Sequence, residues 1–276
     1  MMKSKTVKFS VVIPTLNEEK FLPLLLSSLT VQTYRNFEVI VVDGSSKDKT
    51  VVCANTFKRK VPGLKVIVSK TASLPLQRNL GAHNSKGEWL AFIDADSILM
   101  PNFFERLNIF IVRTNPAVFT TWFSPDTDVT GDAVTALFGN LMLEGSILLK
   151  RPLSPGPLTI VLRSAYDSVG GYDEEHAFHE DMDFGLRLHK QGIRLSILKE
   201  TLFVLSFRRL RQQGMMKVMQ QYIKSALPVL FFKTTFKNMP GYIMGGQMYG
   251  KKKAPKKSPL RKYEQKLNKL MKELFA

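Results

Sequence analysis

Cysteine is almost absent. Cys53 is the only one in 276 residues, so no intramolecular disulfide can form and a cysteine-based structural zinc site is excluded. A reducing compartment fits that usage. Long apolar runs are missing as well: the longest stretch without a charged residue, Phe21 to Tyr34, is 14 residues with Pro23 inside it, whereas a spanning helix needs about 20 apolar residues. The basic start of the chain reaches only Val11-Val12-Ile13 before Pro14 and Asn17, too short for the apolar segment of a secretory leader. The expectation is a cytoplasmic protein that can lie on a membrane without crossing it.

Acidic residues are scarce in one region only. Residues 201–276 hold 17 Lys and Arg against Glu264 and Glu273, a net +15, while the first 200 residues hold 23 basic and 21 acidic residues, a net +2. The formal +17 therefore belongs to the last quarter. Nucleic acid and anionic lipid attract such a segment for the same Coulombic reason, so charge alone does not choose between them.

What is present is a core. With 44% hydrophobic residues, 14 Pro and 17 Gly, the composition is globular and neither disordered nor collagen-like. Phe9 to Ile13, Phe37 to Val42, Leu64 to Val68 and Trp89 to Ile93 are short Val- and Ile-rich runs, the pattern of strands buried on both faces. Between them, Glu18 to Leu29 and Ser46 to Phe57 carry apolar residues at 3 and 4 spacings, and Ser73 is the expected cap of a third helix through Asn84. A further helix is expected from Pro101 through Ile111, while Asp126 to Pro157 gives no clear assignment. Strand alternating with helix predicts βαβ units and an α/β, mostly parallel sheet flanked by helices. Such sheets bind ligands beyond the carboxyl ends of their strands. The polar segments in those places are Pro14-Thr15-Leu16-Asn17-Glu18, Asp43-Gly44-Ser45-Ser46 and Asp94-Ala95-Asp96-Ser97.

Each has two readings. In an extended segment Asp94 and Asp96 project to one side, as a pair of hard oxygen ligands for Mg²⁺ or Mn²⁺ would; the triplet also reads as a strand-ending turn, with Asp96 or Ser97 starting a helix. Asp43 can accept from a ribose hydroxyl or a base N–H, with Ser45 and Ser46 capping the next helix, or can simply offset that helix's dipole. Glu180-Asp181-Met182-Asp183 reads as a helix start; Asp183 and Arg187 make an i, i+4 pair, which leaves Glu180 and Asp181 without a structural task, and a carboxylate placed near an incoming hydroxyl can act as general base. His179 beside them reads as a surface or capping residue. Arg78 can meet a diphosphate or be an exposed helical cation, and Arg208, Arg209 and Arg211 can hold a phosphate or form a solvated face.

Taken together, Val12-Ile13-Pro14-Thr15-Leu16-Asn17-Glu18, Val42-Asp43-Gly44-Ser45-Ser46, Gln77-Arg78-Asn79, Ile93-Asp94-Ala95-Asp96, Gly170-Gly171-Tyr172-Asp173 and Glu180-Asp181-Met182-Asp183 resemble, in order, the motifs of the family 2 glycosyltransferases with a GT-A fold. The resemblance covers roughly residues 8 to 215. It implies that Pro14, Thr15, Glu18, Asp43 and Arg78 bind the nucleotide of a UDP- or GDP-sugar, and that Asp94, Ala95 and Asp96 meet the ribose and a Mg²⁺ or Mn²⁺ ion on the diphosphate. It further implies Asp181 as the base for the acceptor hydroxyl in an inverting transfer, with Glu180 as the fallback. Processive members carry Gln-x-x-Arg-Trp and several membrane spans; here Arg208-Arg209-Leu210-Arg211-Gln212-Gln213 stands in that region, which points to single transfer.

The organisation expected is a transferase domain over residues 1–205 and a basic amphipathic extension over 206–276. Met215 to Leu230 and Leu260 to Leu274 follow helical apolar spacing, and Phe231, Phe232, Phe236, Met239, Tyr242, Ile243 and Met244 interleave with Lys233 and Lys237, as interfacial segments do. The partners expected are a nucleotide sugar, a glycan or lipid-linked acceptor and an anionic membrane surface on the cytoplasmic face. A polyprenyl-phosphate sugar synthase is the alternative within the class. A nucleic-acid binder on a degenerate scaffold is disfavoured, because the acidic crevice would repel phosphate backbones.

Overall fold

A computed structural model describes residues 7–148 and 155–214, together with single positions between 217 and 237. The unbroken aliphatic runs form strands. β1 (Phe9–Thr15), β2 (Phe37–Asp43) and β4 (Trp89–Ile93) are buried along their whole length, because cores lie on both faces of the sheet. Phe9, Val11, Ile13, Ala91 and Ile93 belong to one core, and Val12, Leu90 and Phe92 to the other, the alternation of a pleated strand. β3 (Lys65–Val68) departs from the expectation of burial on both faces. It is the edge of the sheet, and its Lys65 and Val68 are exposed.

α1 (Leu22–Thr30), α2 (Thr50–Asn55) and α3 (Leu74–His83) cross between these strands, and β1, β2, β3 and β4 all run parallel. Pro23 and Pro75 sit in the first turns of α1 and α3, where a missing N–H costs nothing. Ser73 holds the N-cap position of α3 but its hydroxyl makes no capping bond.

Beyond β4 the chain turns into β5 (Ser97–Leu99), α4 (Phe103–Thr114) and β6 (Val118–Pro125). The unassigned region Asp126 to Pro157 contains a 19-residue helix, α5 (Thr130–Leu148). β7 (Leu158–Leu162), α6 (Arg163–Ser168), α7 (Glu180–Lys190), β8 (Leu195–Leu205) and α8 (Arg208–Gln213) complete the described elements. The sheet has eight strands in the order β3-β2-β1-β4-β7-β6-β8-β5. Four of its seven pairings are parallel; β7 joins β4 and β6 antiparallel, and β5 joins β8 antiparallel. The architecture is thus the α/β one expected, a mixed sheet flanked by helices.

After α8, the described positions between 217 and 227 are helical. Most of the predicted stripe from Met215 to Leu230, the basic run Lys251 to Lys257 and the helix predicted over Leu260 to Leu274 lie outside the described residues. Among those described, no helix is long and apolar enough to cross a membrane.

One close approach sets α3 on the sheet. A Cβ at Gly81 would stand 2.3 Å from Val12 Cγ1 and 3.2 Å from Val42 Cγ2. Gly81→Ala should therefore destabilise the protein by about 2 kcal/mol through overpacking, read as a fall of roughly 5 °C in thermal midpoint; an unchanged midpoint would show that α3 can lift without cost.

Candidate active site

The loops after β1 and β2 interlock before they offer anything to a ligand. Asn17 and Ser45 both take left-handed backbone conformations. The Asn17 N–H donates to Ser46 Oγ at 2.8 Å, and the Lys47 N–H donates to Asn17 Oδ1 at 2.8 Å. Asp43, the last residue of β2, is 1% exposed. Its carboxylate accepts from Thr15 Oγ1 at 3.2 Å, from the Ser46 N–H at 2.8 Å and from Ser46 Oγ. Ser45 and Ser46 do not cap α2, whose N-cap is Lys49; Ser46 folds back onto Asp43 instead. Behind this loop pair, Gln77 Nε2 donates to the carbonyls of Thr15 and Val42 at 2.9 and 2.7 Å. Pro14 and Thr15 end β1 on this inner layer, buried.

Asp94-Ala95-Asp96 is a turn, not an extended strand. The Asp94 N–H bonds to the Pro157 carbonyl at 3.0 Å, and the Ser97 N–H returns to the Asp94 carbonyl at 3.1 Å. Ser97 then begins β5, so the helix expected after the triplet is absent. The two carboxylates go to different guanidinium groups. Asp94 Oδ1 takes Arg78 Nη2 at 3.3 Å, and Asp96 Oδ2 takes Arg208 Nε at 2.9 Å.

Neither arginine is the solvated cation of the simpler reading. Arg78 is 1% exposed. Its Nη1 donates to Glu180 Oε1 at 3.0 Å and its Nη2 also to the Gly156 carbonyl at 2.9 Å, with the guanidinium 5.0 Å over the Tyr172 ring. Arg208 forks onto Glu18, Nη1 to Oε2 at 2.8 Å and Nη2 to Oε1 at 2.5 Å, and lies 4.1 Å from the Phe21 ring centroid. Arg211 is likewise committed, to both oxygens of Asp126 and, at 3.5 Å, to Asp132.

α7 begins at His179, left-handed and buried, whose ring stacks on Phe178 at 4.1 Å; it does not cap the helix by its side chain. Burial pushes His179 down to about 4, so the ring is neutral. Glu180 does have a structural partner, the Arg78 guanidinium. Asp181 receives the Met182 N–H at 2.8 Å. The chain before β7 passes so close that a Cβ at Gly156 would lie 2.9 Å from Asp181 Oδ2. Asp183 pairs with Arg187 at 2.7 Å as expected, and Arg187 also holds the carbonyls of Val169 and Gly171. Gly170 and Gly171 both have positive φ, and a Cβ at Gly171 would meet Tyr166 Oη at 2.5 Å.

Arg78 thus joins Asp94 to Glu180, which precedes Asp181, and Arg208 joins Glu18 to Asp96. Pro14, Thr15 and Asp43 lie in the interlocked ends of β1 and β2. Gly156 and Tyr172 in its contact with Arg78 were not signalled by type or spacing; Arg208 was, but as a phosphate ligand or a surface charge. Among the described residues one group of three side chains has metal-ligating proximity elsewhere, Asp173, His176 and Asp183, and there His176 Nδ1 already meets Asp173 Oδ2 at 2.9 Å and its Nε2 meets Thr235 Oγ1 at 3.2 Å.

Burial dominates the electrostatics. It pushes the Glu18 carboxyl up to about 7 against the pull of Arg208, and Asp94 up to about 6 against that of Arg78, with Asp96 adding to both shifts. Asp96, Glu180 and Asp181 are raised for the same first reason. A raised carboxyl is a better proton acceptor at neutral pH.

A model of the "Glycosyl transferase family 2" family matches residues 10–170, more than half of the chain, and the protein belongs to that family. It is 30% identical over 183 residues to an uncharacterized glycosyltransferase of Haemophilus influenzae, covering 65% of this chain and 61% of that one. It is 29% identical over 182 residues to a PGL/p-HBAD biosynthesis glycosyltransferase of Mycobacterium tuberculosis, covering 65% of this chain and 68% of that one. Among solved structures it resembles Staphylococcus aureus TarS 1-349 in complex with UDP-GlcNAc, with TM-score 0.60, 24% identity and coverage of 72% of this chain and 58% of that one. It also resembles the mannosyltransferase PcManGT of Pyrobaculum calidifontis in complex with GDP-Man and Mn²⁺, with TM-score 0.62, 17% identity and coverage of 82% of this chain and 63% of that one. These likenesses show the GT-A fold. The chain spans about three fifths of the length of several of these relatives.

The raised carboxyls have a consequence for stability. Their folded pKa values lie above the unfolded 3.8 and 4.5, so their contribution is complete at acid pH and is lost as pH rises through about 6 to 7. The thermal midpoint should fall by several degrees between about pH 5 and pH 8, and Glu18→Gln should flatten part of that fall. A midpoint that rises over this range would mean that Arg78 and Arg208 keep these groups ionised.

Proposed function

We propose that this protein transfers a single sugar from a nucleotide-diphosphate sugar to the hydroxyl of an acceptor, with inversion at the anomeric carbon. The observation that carries the reading is the bridge made by Arg78. One buried guanidinium joins Asp94, at the end of β4, to Glu180, next to Asp181. The carboxylates assigned to the donor and the one assigned to the acceptor therefore share one crevice. Asp181 takes the hydroxyl proton as the acceptor oxygen bonds to the anomeric carbon, and the diphosphate leaves with the electron pair of the broken C–O bond.

Asp94 and Asp96 suit a divalent ion, for they offer hard carboxylate oxygens close to one another. Mg²⁺ or Mn²⁺ held there would neutralise the departing diphosphate. Arg208 already holds Asp96 and Glu18, so it supplies positive charge beside the same place. The name of one structural relative includes UDP-GlcNAc and that of another GDP-Man with Mn²⁺, which supports a UDP- or GDP-sugar as donor. The acceptor proposed is a glycan or lipid-linked alcohol reached from the cytoplasmic face of a membrane, to which the basic segment 206–276 is drawn.

Calorimetry with UDP and GDP, each with Mn²⁺ or Mg²⁺, should give metal-dependent binding of one nucleotide that Asp96→Ala abolishes; binding of neither would sink the donor site. Asp181→Asn should lower kcat by about 10³, the usual worth of a positioned base, with nucleotide binding unchanged. An Asp181→Asn enzyme of near wild-type rate would favour an acceptor that is already an oxyanion, as in a polyprenyl-phosphate sugar synthase.

A further inference from the structure

α5 is amphipathic the wrong way round. Its inward side carries Asp132, Ala136, Asn140 and Ser146, all buried. Its outward side carries Val134, Leu137, Phe138, Leu141, Met142 and Leu148, between 37% and 83% exposed. Hydrogen bonds seat most of it on the sheet, with Ile147 packed against the core near its end. Asn140 clamps the Phe123 backbone, accepting its N–H at 3.2 Å and donating to its carbonyl at 3.0 Å. Trp122 Nε1 donates to Glu144 Oε1 at 3.0 Å, and Gly139 lets the helix close on the Phe123 ring.

The outward stripe follows helical spacing for about 21 Å at 1.5 Å per residue. It carries no charge, because Asp132 is buried and Glu144 turns to Trp122 and Lys199. An exposed, uncharged apolar stripe of this length, broken only at Gly145, marks a contact surface.

We propose that the outward face of α5 docks into the head-group layer of an anionic membrane. Two observations choose lipid over a second copy. α8 packs against the inward side of α5, through a cluster of Ala136 with Phe207, Leu210 and Val218. The chain therefore leaves for its basic end from next to this helix, with the stripe left uncovered on the other side, and residues 238–276 hold ten Lys or Arg against two Glu. Anionic lipid satisfies the apolar face and the basic segment together; a second copy would bring another +17. The inference rests on the proposed lipid-linked acceptor for its purpose and not for its geometry. The purpose is clear from α8 itself, whose first residue, Arg208, holds Asp96, so a bilayer against α5 lies one helix from the donor carboxylates.

The test uses the full chain and sedimentation with vesicles of phosphatidylcholine, with and without added phosphatidylglycerol. Binding to the anionic vesicles is expected, weakened about tenfold or more in Leu137→Glu/Leu141→Glu, with nucleotide binding by calorimetry kept as the check on folding. Leu141→Trp should shift its emission to the blue when anionic vesicles are added. The proposal is overturned if the double variant sediments with vesicles as the wild type does, or if the Leu141→Trp emission stays put while the protein binds. It is overturned equally if light scattering finds a dimer that the double variant dissolves while vesicles capture nothing. A chain that binds vesicles but no nucleotide would leave this inference standing and defeat the transferase reading.

Discussion

A guanidinium sealed from water is the constraint around which the site is built. Burying the Arg78 charge without partners would cost several kcal/mol, and the fold meets that cost with groups from four separate places: Asp94 after β4, Gly156 before β7, Glu180 on α7 and the ring of Tyr172. Its neighbours in α3 extend the same hold. Gln77 ties the ends of β1 and β2, and Asn79 meets Tyr166 Oη at 2.6 Å and both backbone groups of Tyr172. One turn of helix thus fastens the first half of the sheet to the loops and helix of the second.

The crevice so formed is rich in negative charge. Glu18, Asp94, Asp96, Glu180 and Asp181 face Arg78 and Arg208, and burial raises all five carboxyls. Carboxyls gathered in that way favour further positive charge or protons among them. Burial first, and the nearby charge of Asp94 after it, hold the Asp181 carboxyl above the ordinary aspartate range.

The parts of this architecture that could be read in the sequence are those whose pattern is local. β1, β2 and β4 are buried on both faces, so each is an unbroken aliphatic run, and the polar residues after each run fall at the sheet's carboxyl edge. β3, an edge strand, wears a similar run for a different reason. Strand alternation singles out Asp94 and Asp96, but the chain is a turn there and sends the two carboxylates to different arginines. α5 escaped because its buried side is polar and small, and an apolar stripe ordinarily points inward. The role of Arg208 could not be read locally, since its partners Glu18 and Asp96 stand more than a hundred positions earlier in the chain, and nothing around Gly156 announces that Asp181 will pass beside it.

The Arg208 clasp also has a meaning in time. Arg208 is separated from Glu18 by 190 positions, so a ribosome working at roughly 5–20 residues per second releases the acid about 10–40 s before its counter-charge. Until then the first strands can pair and the sheet can begin to close, but Glu18 and Asp96 have only protons or dissolved cations to neutralise them. The crevice is therefore the last part of the domain to acquire its native charge balance during synthesis, long after the strands that frame it have been made.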